Sequence, residues 1–301
     1  MNISDLLGVE LSSRIPPTTQ KKLTQRVLKN QVATRDEISK LGTSLATEHK
    51  IKTGLTNDRR LYLRLRSNCA DIEKSYLILA DASRKKEAIT PGTEWLLDNY
   101  HVIEKQINDI KNHFPRGYDK TLPRLLEGEY RQYPRVYHLA LEFIANTDCV
   151  LDIDLLNPFI EGYQTQAVLH IGEVWAIPIM LRFALLEQLR NLSLSMIRAR
   201  EEFKAAEQLI EEILGDESRP GTQILLNLAE KVMIRPDFLT MGAGHLIRRL
   251  RDRGRIASLT LQWLEERLRE EGQDPEEILK NEQRLQAADQ ITIGNIFTSL
   301  R

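Results

Sequence analysis

The sequence predicts an all-α protein, an irregular multi-helix bundle of roughly eight to ten helices. Three observations carry that expectation. Several stretches place apolar residues three and four apart, none shows sustained period-two alternation, and helix-start signals recur between them. Composition agrees, since Leu, Glu and Arg recur throughout while only 6% of the residues are aromatic.

A chain of 301 residues, 42% hydrophobic and 28% charged, is globular and long enough for one large domain or two modest ones. A net charge of −1 gives no reason to expect nucleic acid as a partner. Cys69 and Cys149 sit in neither a C-x-x-C pair nor a zinc-ligand spacing, so free thiols in a reducing compartment are expected. The N-terminal "MNISDLLGVELSSRIPP" lacks a basic region followed by an unbroken apolar core, so it does not read as a secretory signal.

Residues 1–57, with Pro16-Pro17 and a break at Gly54, are poorly defined. A helical core module follows over 58–214. Its first helix runs from Asp58 to about Arg84 with Leu61, Leu65, Ile72, Tyr76 and Leu79 on one face. Thr90-Pro91 is a start signal, a capping hydroxyl ahead of a first-turn proline, and Leu96, Val102, Ile103, Ile107 and Ile110 form the stripe behind it. "FPRGY" (114–118) should end that helix. Tyr133-Pro134 opens another, with Val136, Leu139, Ala140, Phe143 and Ile144 sharing a face. Asp152 is placed to cap a short helix through Leu156, which Pro158 should interrupt.

"IGEVWAIPIMLRFALLEQLR" (171–190) is apolar on nearly every face, so it should be surrounded by other helices. It is too short and too interrupted by charge to span a bilayer, which needs roughly 20 mostly apolar residues. Its helix should continue past Arg190 with a narrower stripe of Ile197, Ala205, Leu209 and Ile213. Residues 215–221 are the expected linker to a C-terminal helical segment, 222–301, whose last start signal is Asp274-Pro275 with Glu277 three residues after the cap.

Candidate chemistry is sparse. Asp152 and Asp154 form a D-x-D of the kind that holds a divalent metal, but at a helix start the capping and dipole roles suffice. The six histidines show no H-x-x-x-H or H-E-x-x-H spacing. "MGAGH" (241–245) reads as a helix break rather than a phosphate loop. The arginine run Arg248, Arg249, Arg251, Arg253 and Arg255 suits either a solvated helix end or anionic lipid headgroups. Glu173 and Arg182 stand about 13.5 Å apart along one helix, too far to pair, so each should find a partner on a neighbouring helix. No catalytic, cofactor or metal residue is assigned.

Four phrases together resemble the N-terminal region of cyclic β-1,2-glucan synthases, large bacterial inner-membrane enzymes. They are "ITPGTEWLLDNYHVIEKQI" (89–107), "FPRGYDKTLPRLLEGEYRQYPRVYHLALEFIANTD" (114–148), "IGEVWAIPIMLRFALLEQLRNL" (171–192) and "NEQRLQAADQITIGNIFTSLR" (281–301). The resemblance implies a parent activity of glucosyl transfer from UDP-glucose, with a divalent metal held by a later domain, so Asp152 and Asp154 do not inherit that role. The end at Arg301, inside one of the phrases, suggests the front of a longer protein.

The leading expectation is therefore a non-catalytic module on the cytoplasmic face of the inner membrane, partnered by the transferase and membrane portion of the same polypeptide. Glu173, Trp175, Ile179, Arg182 and Phe183 would contribute the contact surface. The alternatives are a stand-alone helical interaction protein, binding a protein or the membrane through the arginine run, and an enzyme with a sugar-nucleotide site around Asp152 and Asp154.

Overall fold

A computed structural model describes residues 33–55, 59–87, 89–113, 118–215, 219–234 and 238–301. Among the described residues there are eleven α-helices and one two-stranded sheet, so the chain is all-α. The Pro16-Pro17 segment and the expected break at 114–117 lie outside the described residues.

In chain order the elements are α1 (Arg35–Glu48), β1 (Ile51–Lys52), α2 (Arg60–Arg84), α3 (Pro91–Asp98), α4 (Tyr100–His113), β2 (Arg124–Leu125), α5 (Arg135–Asn146), α6 (Ile153–Gln164), α7 (Ile171–Leu214), α8 (Gly221–Ile234), α9 (Phe238–Asp252), α10 (Ser258–Glu270) and α11 (Pro275–Leu300). Two compact units arise. One comprises the described residues up to Ser195 together with Ala288–Arg301, and the other is Met196–Ala287. The division falls within α7 and α11 rather than at residues 215–221, whose described members lie inside the second unit. The all-round apolar first half of α7 buries Met180, Leu181, Phe183, Leu185, Leu186 and Leu189 in the first unit. Its narrower second half adds Ile210, Ile213 and Leu214 to a core with Leu228 of α8, Leu246 and Leu250 of α9, and Leu264 and Leu268 of α10. That stripe runs through Ala206, which is buried, and not Ala205, which is exposed.

In the first unit, α1 was not anticipated, although Thr34 and Glu37 form a capping box that the sequence displays. Thr90 and Pro91 start α3 as expected, but the stripe behind them is two helices. Asn99 leaves helical geometry between them and its side-chain amide donates to the Trp95 carbonyl, 2.9 Å away, satisfying the broken end. Asp152 caps α6 by accepting from the Asp154 N–H at 2.8 Å. That helix does not stop at Pro158 but continues to Gln164. The missing proline hydrogen bond is outweighed by packing against α1, where the two backbones approach through Gly42 and Gly162 and the Thr43 hydroxyl donates to the Gly162 carbonyl at 3.1 Å. In the second unit, α9 likewise runs through residues 241–245 without breaking; Gly244 leaves room there for the Glu282 carboxylate.

The end of α11 returns to the first unit at an unusual turn. Asp148 and Cys149 both have positive φ, 48° and 63°, a conformation costing non-glycine residues about 1–2 kcal/mol each. One face of α11 holds it: the Thr292 hydroxyl and Asn295 amide donate to the Asp148 carboxylate at 2.8 and 3.1 Å, and Ser299 Oγ donates to the Cys149 carbonyl at 2.8 Å.

A Cβ at residue 42 would lie well inside van der Waals distance of the Phe159 carbonyl oxygen, whereas one at residue 294 meets nothing within 4 Å. Gly42→Ala should lower stability to urea by about 1–3 kcal/mol, and Gly294→Ala should raise it by about 0.5–1 kcal/mol.

Candidate functional site

The first unit concentrates its polar groups around α5, and the local sequence explains why. The tyrosine-rich turn before α5 delivers Tyr130 and Tyr133, and the helix itself then presents Arg135, Tyr137, His138 and Glu142. Because α5 is buried on almost every face, these groups must find partners inside the protein.

Arg135 and Glu173 form the deepest pair. Their side chains are 2% and 0% exposed, and the guanidinium grips the carboxylate through Nε at 2.7 Å and Nη2 at 2.6 Å. The remaining capacity is filled: Arg135 Nη2 donates to the Val168 carbonyl at 2.8 Å, and the His170 N–H donates to Glu173 Oε2 at 2.9 Å. Glu173 thus joins α5 to the first turn of α7, and its charge sits where the helix dipole favours it. Burial alone would pull the Arg135 pKa down, but the hydrogen bonds it donates to Glu173 and Tyr163, with the Glu173 charge, outweigh it and raise the pKa, keeping the guanidinium charged.

A second cluster surrounds Glu187 of α7. Arg64 of α2 approaches it with Nε 2.9 Å away and Nη2 also bonded, and the Tyr137 hydroxyl donates to the same carboxylate. The Arg64 guanidinium also lies 5.5–6.0 Å from the ring centres of Tyr130, Tyr133 and Tyr137. Burial and the neighbouring Glu187 charge push the Tyr137 hydroxyl pKa well up, so it stays a donor. Arg190 pairs with Asp71 at 2.5 Å, and Arg124 with Asp119 at 3.4 Å. A third cluster is a chain of rings: the Tyr163 hydroxyl is 3.0 Å from His49 Nδ1, and His49 Nε2 is 2.9 Å from His138 Nδ1.

The five residues expected to form one contact surface divide between the two sides of α7. Glu173 finds its partner on a neighbouring helix, as anticipated, but both it and Phe183 belong to the interior. Arg182 does not: its side chain is exposed, so it needs no buried partner, because the apolar run has one open face after all. Trp175 is 75% exposed, Ile179 is half-buried, and Ile171 and Val174 extend the open face toward the start of the helix. Within residues 171–182 the exposed positions 171, 174, 175, 178 and 182 form a stripe at helical spacing carrying one cation and no carboxylate.

The arginine run lies in the second unit. Arg248 pairs with Glu282, Arg249 with Glu207 at 3.3 Å, and Arg251 with Glu276 at 2.8 Å and Glu265 at 3.4 Å. Arg253 donates to the Gly215 carbonyl at 2.8 Å, while Arg255 is exposed.

Sequence reasoning did not single out Arg64, Arg135, Tyr137 or Glu187, because their partners lie 38–123 residues away along the chain. The His138-x-x-x-Glu142 spacing was the one local signal available.

Among the described residues, no group of three or more His, Cys, Asp or Glu is placed to hold a metal ion, and no helix is long and apolar enough to cross a membrane. No known family profile matches the chain. It is 33% identical over 239 residues to the cyclic beta-(1,2)-glucan synthase NdvB of Rhizobium meliloti, a match covering 79% of this chain and 8% of that protein.

Glu173→Gln leaves Arg135 buried and charged without its counter-ion, and it should cost about 3–5 kcal/mol in denaturant unfolding. Arg182→Leu changes only an exposed position and should move stability by no more than about 0.5 kcal/mol.

Proposed function

We propose that this chain, related to a region of a cyclic β-1,2-glucan synthase, is a non-catalytic helical module that positions or assembles the glucosyl-transfer machinery of such an enzyme. Transfer from UDP-glucose, with its divalent metal, belongs in this reading to other parts of the synthase. The module lies on the cytoplasmic face of the bacterial inner membrane, with the transferase and membrane portion of the same polypeptide as its partner.

One observation carries the reading: among the described residues four of the five buried carboxylates face an arginine, the fifth being Glu142 beside His138. The oxygens of a carboxylate gripped by arginine are occupied by its N–H donors and turned away from proton transfer or metal binding. Glu173 and Glu187 are both in that state, and Asp71 and Asp119 each face an arginine. Asp152 is similarly occupied as a helix cap. What the first unit leaves available is the open face of α7, with Ile171, Val174 and Trp175 as apolar anchors and Arg182 at its far end. A large exposed tryptophan beside aliphatic side chains is the composition of a contact anchor. The arginine run is a poorer candidate for lipid, since glutamates balance Arg248, Arg249 and Arg251, leaving Arg255 as its most available member for anionic headgroups.

In the intact synthase, Trp175→Asp should reduce glucan synthesis from UDP-glucose at least about tenfold, as expected from losing an anchor worth about 2 kcal/mol. The melting temperature of the chain should stay unchanged, because residue 175 is outside the core. Asp154→Asn should leave synthesis intact. Full synthesis in the Trp175 variant rejects the docking role, and metal-dependent UDP-glucose binding lost with Asp154→Asn rejects the non-catalytic one.

A further inference from the structure

The ring chain at the end of α1 has a direction, imposed from both ends. At one end, Arg135 Nη1 donates to the Tyr163 hydroxyl oxygen at 3.4 Å, which directs the hydroxyl proton onward to His49 Nδ1, 3.0 Å away. At the other end, the Glu142 carboxylate lies 3.7 Å from His138 Nε2 and favours a proton on that nitrogen. His138 Nδ1 must then accept, and the 2.9 Å contact requires His49 Nε2 to donate. The two ends agree. For uncharged rings this arrangement makes each histidine an Nε2–H tautomer, with the hydrogen bonds running Tyr163 to His49 to His138, toward Glu142.

This chain closes a junction. His49 is the C-cap of α1, and the next residues are held by short backbone contacts: the Leu126 N–H donates to the Lys50 carbonyl at 2.9 Å, and Ile51 and Lys52 pair with Leu125 and Arg124. The pair is not sealed from water, since both rings are only half-buried. The groups facing it are Arg135, His138 and Glu142 of α5, Tyr163 of α6, Tyr130 stacked on His138, and Glu173 of α7 behind Arg135.

We propose that the His49–His138 pair is a proton-released latch, which when neutral fastens the α1–β1 junction to α5 and α6 and opens on proton uptake. A proton on His49 Nδ1 replaces an acceptor with a donor against the Tyr163 hydroxyl and sets an imidazolium beside Arg135. A proton on His138 Nδ1 meets the His49 Nε2–H head-on, unless His49 moves its own proton to Nδ1, where it sets a donor against the Tyr163 hydroxyl.

The electrostatics agree with the geometry. Burial first, then the proximity of His138 and of the Arg135 charge, lower the His49 pKa from 6.5 to about 3, with Glu142 opposing them. Below pH 6.5 the released segment therefore binds a proton that the latched one refuses, so latching weakens as pH falls from 6.5 toward 3. Linkage gives about a tenfold shift toward the open form between pH 7.5 and 5.5. The inference does not depend on the function proposed above.

The test is amide hydrogen exchange of Leu126 in the whole chain at pH 7.5 and 5.5, corrected for intrinsic rates, in the unmodified protein and in His49→Gln, which keeps a neutral hydrogen-bonding side chain. Protection should fall about tenfold in the former and stay level in the latter. Equal protection at both pH values in the unmodified protein, or the same loss in both proteins, overturns the latch. Nitrogen-15 spectra of the labelled histidines supply a check that needs no variant: both should be Nε2–H tautomers at pH 7.5, and an Nδ1–H form of either contradicts the assignment.

Discussion

The ion pair between Arg135 and Glu173 is the constraint on which the first unit turns. Two charges with almost no solvent exposure are costly to bury, and the cost is offset by their bidentate pairing and by the further hydrogen bonds to the Val168 carbonyl and from the His170 N–H. That requirement fixes geometry. Arg135 must lie at the start of α5, where its N–H donates to the Pro123 carbonyl, and Glu173 must lie in the first turn of α7, where the His170 N–H reaches it. A shift of either helix by one residue would strand a charge in the core. The pair therefore sets the register of α5 against α7, while the apolar side chains around it contribute most of the burial.

Register at this point propagates along α7. Glu187 is fourteen residues after Glu173, close to four helical turns, so it faces the same interior and meets Arg64 and Tyr137. Arg190 then reaches Asp71 on the helix that supplies Arg64. With those inward positions determined, Ile171, Val174, Trp175 and Arg182 are turned outward. The same pairing that anchors the helix leaves an apolar face on its other side. The buried ion pairs and the open apolar face are two results of one orientation.

The helical class, the caps at Thr90, Asp152 and Asp274 and the length of α7 were legible in the sequence, because they depend on neighbours within a turn or two, whereas the expected burial of α7 on every face was not met. Pro158 and Gly244 misled for a related reason. Their local preferences are real, but α1 packed on α6 and Glu282 accommodated beside α9 override them, and neither contact is written nearby in the chain. The ion-pair partners were illegible for the same cause at longer range: 123 residues separate Arg64 from Glu187, and nothing at either position distinguishes a buried arginine from a solvated one. Trp175 and Arg182 were identified as surface candidates from the excess of apolar residues in their helix, and they are exposed. Glu173 and Phe183 belong to the same run but point inward, a distinction that helical phase could have supplied once one face was known.

The central claim, that the open face of α7 is a contact surface used inside a larger synthase, is tested most directly by a cysteine at position 175. Cys69 and Cys149 are buried, so a water-soluble maleimide should report on the new thiol. The account predicts rapid labelling of Trp175→Cys in the chain by itself and strong protection of the same position in the intact, membrane-assembled synthase. Equally rapid labelling in both would show that nothing covers this face, and would contradict the account.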